Sequence, residues 1–394
     1  MRRMWAAVTL GILAAAGGAA QESRDGTARR ETWARLAPCF TPPPEFKDDF
    51  GTYRPLLKFK DGRPVRTPEE WRERRAEILR EWTELLGPWP PLLENPAVDV
   101  EYTEELPEFT RHRIEFETAP GRKSSAYLLV PKGKGPFPGI VDVFYYPDDG
   151  AGLRESRRGQ NDFGYQLARR GFVALCVGQN PTPPRPNADL YYPTAERAQH
   201  QPLSHLAYVA ANAYTVLARR PDVDPARIGV VGHSYGGKWA LFAGALWDKF
   251  AAVAVSDPGI VFDEARPNVN YWEPWYLGYE AGREPRPRGV IRPESPRTGA
   301  YKTMIERGMD LHEVHALIAP RPFFVAAGSE DPPSRWKALN HTVAVHRLLG
   351  FENRVGMANR PTHKITPEAN ELVSLFFEHF LKERAPGGAR ERER

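Results

Sequence analysis

A serine flanked by glycines constrains the fold of this chain more than any other feature. Gly232, Ser234 and Gly236 form a G-x-S-x-G pattern that follows an apolar run, residues 228–231, and opens a helical stretch. In this strand-to-helix context the serine stands on a turn so sharp that only small residues fit two positions before and after it. The pattern therefore predicts an exposed serine hydroxyl at the tip of a buried strand. The alternative, a bystander serine in a glycine-rich turn, stays open at this point.

Short apolar runs alternate with helical stretches from residue 137 onward. Continuous apolar strands interleaved with amphipathic helices are typical of an α/β fold, with a mostly parallel central sheet and helices on both faces. Extended segments at about 98–105, 109–117 and 124–131 predict an antiparallel meander ahead of that sheet. The rhythm breaks between 258 and 320, where the chain is rich in Pro, Arg and aromatic residues. We interpret that stretch as an insert that forms a rim.

The ends of the chain differ from this central pattern. A basic pair precedes an apolar run, Met4 to Ala16, and then small residues, which is the order of a secretory signal peptide over residues 1–20. The run is short for a bilayer-spanning helix, so a retained anchor is the weaker alternative. We expect a secreted or periplasmic protein with no membrane span after processing. Residues 21–97 predict a wrapping segment with one helix, 98–382 the sheet domain, and 383–394 a disordered tail.

Composition excludes several classes of function. The chain has 54 Lys+Arg against 50 Asp+Glu, and this balance gives no basis for a nucleic-acid partner. Cys39 and Cys176 are too few for a disulfide framework, and we favour a buried thiol at Cys176 over a bond between them. His312 and His315 have a spacing that suits a shared metal, but no third ligand is evident. We interpret them as polar groups on a surface helix and expect neither a metal nor a cofactor.

A nucleophilic serine needs a histidine base, and the base needs a carboxylate that orients it. In sheets of this kind the chain order is serine, acid, histidine, with the acid after a late strand. Asp331 follows an apolar run, and His363 lies in a loop before the final helix. We predict a triad of Ser234, Asp331 and His363. Glu330 and Asp257, which ends another strand, stay open as alternatives for the acid.

Two backbone N–H groups are expected to receive the negative charge that develops on the substrate in acyl transfer. Tyr235, directly after the serine, is the first candidate. The second is expected in the loop after the apolar strand 138–146, and we choose Tyr146. Tyr145 and Tyr146 are also consistent with a packing role alone.

These motifs resemble the α/β-hydrolase superfamily, in particular the branch of dienelactone hydrolase-like proteins, acetylxylan esterases and glucuronoyl esterases. The matching stretches are 224–229 before the serine, 237–241 after it, 316–322 before the acid strand, and 61–75 near the N-terminus. The resemblance covers about residues 56–382. It implies an α/β-hydrolase fold in which Ser234, Asp331 and His363 are the nucleophile, acid and base.

The resemblance also implies a function. It suggests a secreted serine esterase that forms an acyl-enzyme on Ser234 and takes a small-molecule or carbohydrate ester, such as an acetyl or uronate ester. Glucuronoyl esterases usually carry Arg directly after the serine, where this chain has Tyr235. Lys238 matches a position that contacts the sugar in those enzymes. Trp272 and Trp275 offer flat faces for stacking on sugar rings, and packing inside the insert is the alternative.

Two other functions stay open. A peptidase of the prolyl-oligopeptidase type has a similar serine turn, but it carries a large propeller ahead of the hydrolase domain. The residues between 21 and 138 are too few for four or more blades of roughly 40 residues each. A non-catalytic binding protein on the same fold is the other alternative. The presence of serine, acid and histidine in the expected order argues against it.

Overall fold

A nine-stranded sheet occupies the centre of the computed structural model, which describes residues 26–27, 29–178, 190–267, 271, 276–283, 286–287 and 289–382. The strands are β1 (Val98–Glu105), β2 (Phe109–Ala119), β3 (Arg122–Pro131), β4 (Phe137–Phe144), β5 (Val173–Gly178), β6 (Val223–His233), β7 (Ala252–Ser256), β8 (Phe323–Ala327) and β9 (Val355–Asn359). Their order across the sheet is β1-β2-β3-β5-β4-β6-β7-β8-β9.

The sheet has an antiparallel and a parallel part. β1, β2 and β3 pair antiparallel, and β3 joins β5 in the same sense. From β5 through β4, β6, β7 and β8 to β9 all neighbours are parallel. This confirms the predicted meander followed by a mostly parallel sheet. The connection from β4 leads to β5 on one side, whereas the connection from β6 leads to β7 on the other. The crevice between the ends of β4 and β6 is therefore the place where α/β sheets bind ligands.

Helices cover both faces of the sheet. The longer ones are α1 (Pro68–Leu86), α2 (Phe163–Ala168), α3 (Pro202–Ala218), α4 (Tyr235–Leu246), α5 (Gly299–Glu306), α6 (His312–Ile318), α7 (Trp336–Leu348) and α8 (Pro367–Phe377). Residues 29–36 are also helical. Shorter turns occur at Ala37–Phe40, Pro44–Phe46, Pro147–Gly150, Glu155–Arg157, Ala195–Arg197, Pro333–Arg335 and, as a π-helical turn, Glu378–Lys382.

Successive residues of the parallel strands face opposite sides of the sheet, as the strand pleat requires. In β7, Val253 and Val255 pack into a large core that includes Trp239 of α4. Ala252 and Ala254 of the same strand face a second core under α8. The strands are apolar on both sides because both sides are covered.

Helix α1 anchors the N-terminal segment and begins where the sequence predicts. The N–H of Glu70 donates to Thr67 Oγ1 (3.2 Å), and the N–H of Thr67 donates to Glu70 Oε2 (3.2 Å), so the first turn is capped in both directions. Further along, Trp82 Nε1 donates to the buried carboxylate of Glu313 (2.9 Å). Arg54 Nε donates to the same carboxylate (2.8 Å). Helix α1 and the segment that precedes it are therefore both hydrogen-bonded to helix α6.

The stretch between β7 and β8 is not a rim alone. Helix α6 lies near the end of this stretch and is buried along its whole length. His312 and His315 are fully buried, so the expectation of a surface helix is wrong. Burial lowers the pKa of both imidazoles to about 3. The spacing could not reveal this, because the helices that cover α6 include α1 and α4, which are distant in the chain.

Several expectations lie outside the described residues. Residues 1–20, the tail 383–394, and Trp272 and Trp275 belong to the ranges that the structure does not describe. Within the described ranges, no helix is long and apolar enough to cross a membrane. Cys39 and Cys176 are not bonded to each other, and Cys176 is the buried thiol that the sequence favoured.

Candidate active site

Ser234 stands on a strained turn between β6 and α4. Its backbone has φ +54° and ψ −115°, a region that residues with a side chain rarely adopt. A Cβ on Gly236 would lie 2.0 Å from the carbonyl oxygen of Val143, and one on Gly232 would lie 2.3 Å from that of Gly236. Both positions must therefore be glycine. The turn is also pinned from β7, since the N–H of Ser234 donates to Ser256 O (2.7 Å).

His363 bridges the serine and a buried carboxylate. Its Nε2 lies 2.8 Å from Ser234 Oγ, and its Nδ1 lies 2.7 Å from Asp257 Oδ2. A carboxylate can only accept, so Nδ1 carries the proton and Nε2 is left to accept from the serine hydroxyl. The side chain of His363 is 40% exposed and that of Asp257 is fully buried. The arrangement is therefore a serine, base and acid in a hydrogen-bonded row that opens to solvent at the base.

The predicted pairing of Asp331 with His363 is wrong. The partner is Asp257, the alternative that ends β7. Asp331 is buried nearby, but its two oxygens accept from the N–H groups of Gly259 (2.8 Å) and Ile260 (2.6 Å). Both acids follow strands that end at the same edge, so the order of serine, acid and histidine fits either one. Glu330 is excluded as well, because its carboxylate faces Arg266 (3.4 Å).

The two aspartates lock each other's turns. Asp257 Oδ1 accepts from the N–H groups of Gly328 (2.6 Å) and Asp331 (3.0 Å), while Asp331 holds the amides that follow Asp257. Asp257 needs such support, because its φ is +49°. Burial, together with the charge of Asp257, raises the pKa of Asp331 to about 6. Asp331 is thus the residue that fixes the turn of the acid.

Two residues near His363 were not singled out from the sequence. Arg360 donates through Nη2 to His363 O (2.7 Å) and to Ser256 Oγ (3.2 Å), and through Nη1 to Ala326 O (2.6 Å). It thereby ties the histidine loop to β7 and β8. The only sequence clue to a role for Arg360 is its position three residues before His363. Nothing in the sequence indicates that an arginine at this position is buried.

His233, the residue before the serine, is the second one. Its ring centroid lies 4.7 Å from that of His363, and its Nδ1 lies 3.1 Å from Ser256 Oγ. Burial, with the charges of His363 and Arg360, holds the pKa of His233 well below its usual value. A neutral ring beside His363 therefore adds packing without adding a second positive charge.

The candidate oxyanion amides lie at the same edge of the sheet. Tyr235 is the first residue of α4, and Tyr146 precedes the helical turn after β4. β4 pairs directly with β6, with Val143 opposite Gly232. Tyr145 has a packing role, because its ring stacks on that of Tyr235 (4.3 Å between centroids, 9° between planes).

Lys238 lies one turn along α4 from the serine and is only 3% exposed. Its Nζ sits over the rings of Tyr271 (5.3 Å) and Tyr276 (5.2 Å). Aromatic faces stabilise a desolvated cation. The insert thus covers this ammonium group, and Lys238 supplies positive charge close to the serine.

Metal-binding side chains do not converge in the described part of the chain, where no group of three or more His, Cys, Asp or Glu could hold an ion. His233 and His363 lie at the serine site, whereas His312 and His315 lie in the core.

The fold and the site define the chain as a protein with the α/β-hydrolase fold, and comparisons with known proteins agree. A glucuronoyl esterase from Solibacter usitatus superposes with a TM-score of 0.62 at 20% identity, over 83% of this chain and 97% of that one. A family 15 carbohydrate esterase from Caldicellulosiruptor kristjansonii, a glucuronoyl esterase, gives 0.59 at 19%, over 90% and 97%. A putative acetyl xylan esterase from Bacteroides fragilis gives 0.54 at 13%, over 87% and 89%.

Sequence comparison gives a more local match. The chain is 33% identical over 135 residues to acyl-coenzyme A thioesterase 3 of Mus musculus. The match covers 34% of this chain and 26% of that protein, so the chain spans about a quarter of its length. No protein-family model matches the chain.

Proposed function

We propose that the protein is a serine esterase that works through an acyl-enzyme on Ser234. The observation that carries the proposal is the row of contacts from Ser234 Oγ to His363 Nε2 (2.8 Å) and from His363 Nδ1 to Asp257 Oδ2 (2.7 Å). Such a row turns a weak nucleophile into a strong one without a cofactor.

In the acylation step, Ser234 Oγ attacks the ester carbonyl carbon while His363 Nε2 takes the hydroxyl proton. The carbonyl π electrons move to oxygen. The tetrahedral intermediate then collapses, the bond to the alkoxy oxygen breaks, and His363 gives its proton to that oxygen. A water molecule then gives a proton to His363 Nε2 and attacks the acyl carbon. As the bond from that carbon to Ser234 Oγ breaks, His363 returns the proton to Oγ and the carboxylic acid product is released. Asp257 holds Nδ1–H throughout and stabilises the imidazolium.

The backbone amides of Tyr235 and Tyr146 are our candidates for the oxyanion donors. Their support is position: one begins the helix after Ser234, and the other follows the strand paired with β6. The positive end of the α4 dipole adds to the stabilisation of an oxyanion at this place.

For the substrate we propose a carbohydrate-linked ester, such as an acetyl or uronate ester. We also propose that the protein is exported through its N-terminal signal peptide. Support comes from the structural likeness to glucuronoyl esterases and to an acetyl xylan esterase. Lys238 supplies a nearby positive charge.

The test is hydrolysis of p-nitrophenyl acetate, acetylated xylan and a methyl glucuronate ester by wild type and by Ser234→Ala. We expect the variant to lose at least about 10⁴-fold in kcat. Ser334→Ala, an exposed serine, is the control and should keep full activity. A fluorophosphonate should add to the wild type alone, which mass spectrometry of the intact protein detects. Undiminished hydrolysis by Ser234→Ala would overturn the proposal.

A further inference from the structure

A cavity of about 290 Å³ is lined by the two chain neighbours of His363, although His363 itself is not among the described lining residues. Thr362 and Lys364, the chain neighbours of the histidine, form one wall, and Arg158 and Gln160 from the loop after β4 form another. The cavity therefore lies between the loop that carries His363 and the loop after β4.

The charged residues that line this cavity are all positive among those described. Arg158 and Lys364 contribute two cations, and none of the described residues that line the cavity is Asp or Glu. Arg158 Nε donates to Gly152 O (3.4 Å), and its guanidinium lies over the ring of Tyr165 (5.3 Å). Among the described residues the guanidinium is held by this carbonyl and this ring, and the side chain is exposed.

Within the described part of the chain, Lys364 is fixed through its backbone and not through its ammonium group. Its carbonyl accepts from Arg360 Nε (2.8 Å) and from Thr362 Oγ1 (3.3 Å), while its side chain is exposed. Thr366 Oγ1 accepts from the N–H of Ala369 (3.2 Å), so the start of α8 is capped within the chain. The positive potential of the cavity therefore comes from its side chains.

We propose that this cavity is a subsite for an anionic group on the alcohol part of the substrate ester. His363 protonates the leaving alkoxide, so the leaving group lies on the histidine side of Ser234. The cavity is lined by both chain neighbours of His363. Arg158 and Lys364 pair with the anion, and Gln160 and Thr362 offer hydrogen bonds. The anion is a carboxylate, sulfate or phosphate. This inference rests on the proposed function and adds the charge of the substrate to it.

The experiment compares matched acetate esters of phenols. Methyl 4-acetoxybenzoate is neutral, and 4-acetoxybenzoate, 4-acetoxybenzenesulfonate and 4-acetoxyphenyl phosphate carry the three anions. Each is assayed with wild type, Arg158→Gln, Lys364→Gln and the double variant. Lys249→Gln is the control, since Lys249 is exposed at the opposite edge of the sheet, before β7.

We expect each single variant to raise KM for the preferred anionic ester about 3- to 5-fold, as for one exposed ion pair, and the double variant about 10-fold or more. The KM for the neutral ester should change less than about 2-fold in the same variants. For wild type, kcat/KM of the anionic ester should fall as KCl rises from about 0.02 to 0.5 M, because salt screens exposed charges. The ester with the largest effect identifies the anion.

Equal losses on neutral and anionic esters would show that the two residues act through structure alone, and would overturn the subsite. So would anionic esters that respond neither to the variants nor to salt. In both cases continued Ser234-dependent hydrolysis of the neutral ester would leave the esterase proposal standing. A wild type that hydrolyses none of the esters would contradict the esterase proposal and the subsite together.

Discussion

Replacing Asp257 by Asn tests which carboxylate serves the base. The asparagine keeps the size of the side chain and removes the charge that faces the imidazolium in the transition state. At the Nδ1–Oδ2 distance of 2.7 Å and an effective dielectric constant of about 20, this attraction is about 6 kcal/mol. His363 is 40% exposed, and solvent screening reduces the attraction to about 4 kcal/mol. Each 1.36 kcal/mol is tenfold in rate, so we expect kcat to fall about 10³-fold, with up to about 10⁴-fold if the wrong histidine tautomer also forms.

The matched control is Asp331→Asn, measured with the same short aryl ester. Asp331 touches the amides of Gly259 and Ile260 and not the histidine, so its loss should act only through the turn of Asp257. We expect about a 10-fold decrease in kcat. Thermal melts of both variants at pH 7.5 separate loss of fold from loss of catalysis. A decrease for Asp331→Asn as large as for Asp257→Asn, or less than 10-fold for Asp257→Asn, would refute the assignment of the acid.

Three further predictions concern the frame of the site. Gly236→Ala places a methyl group 2.0 Å from Val143 O, so kcat should fall at least about 100-fold as the serine turn shifts, measured by initial rates beside a melt. Burial raises the pKa of Asp142 to about 8, so this carboxyl group must take up a proton when the chain folds at pH 7. The substitution Asp142→Asn removes that requirement. In urea titrations it should raise the free energy of unfolding by about 1–3 kcal/mol at pH 7 and by almost nothing at pH 4. His312 and His315, with pKa values lowered to about 3, stay neutral in the fold and protonate in the unfolded chain. Stability is then complete above pH 6.5 and lost as the pH falls, by about 2 kcal/mol for each at pH 5, and a melting temperature unchanged between pH 7 and pH 5 would contradict this.

The fold and the glycine-flanked turn of Ser234 could be predicted because their signals are local. Gly232 and Gly236 are required by contacts within a few residues of Ser234 and with the adjacent strand. Thr67 and Glu70 cap their own helix. The inner parallel strands are apolar on both faces, which is a property of each segment by itself. Such features depend little on where the rest of the chain goes.

The carboxylate that pairs with His363 could not be chosen from the sequence because its signal is not local. Asp257 and Asp331 each follow an apolar strand, and β7 and β8 are parallel neighbours that end at the same edge. Which carboxylate reaches His363 depends on the turn that follows each strand. The backbone of Asp257 adopts φ +49°, and its side chain contacts the histidine. Aspartate is among the few residues that tolerate positive φ. The sequence therefore contains no unusual residue, such as a glycine, that would indicate this turn.

The buried charges around His363 explain why this turn holds. Asp257 and Asp331 accept from backbone amides of each other's loops, and Arg360 donates to the carbonyl groups of His363 and Ala326. A buried charge is tolerated only when its hydrogen-bonding capacity is filled. Here main-chain groups fill much of it, so each charged side chain fixes a loop that belongs to another part of the chain. The base is therefore positioned by residues that carry no sequence pattern of their own, and removing any of the three charges would free a loop as well as unbalance the other two.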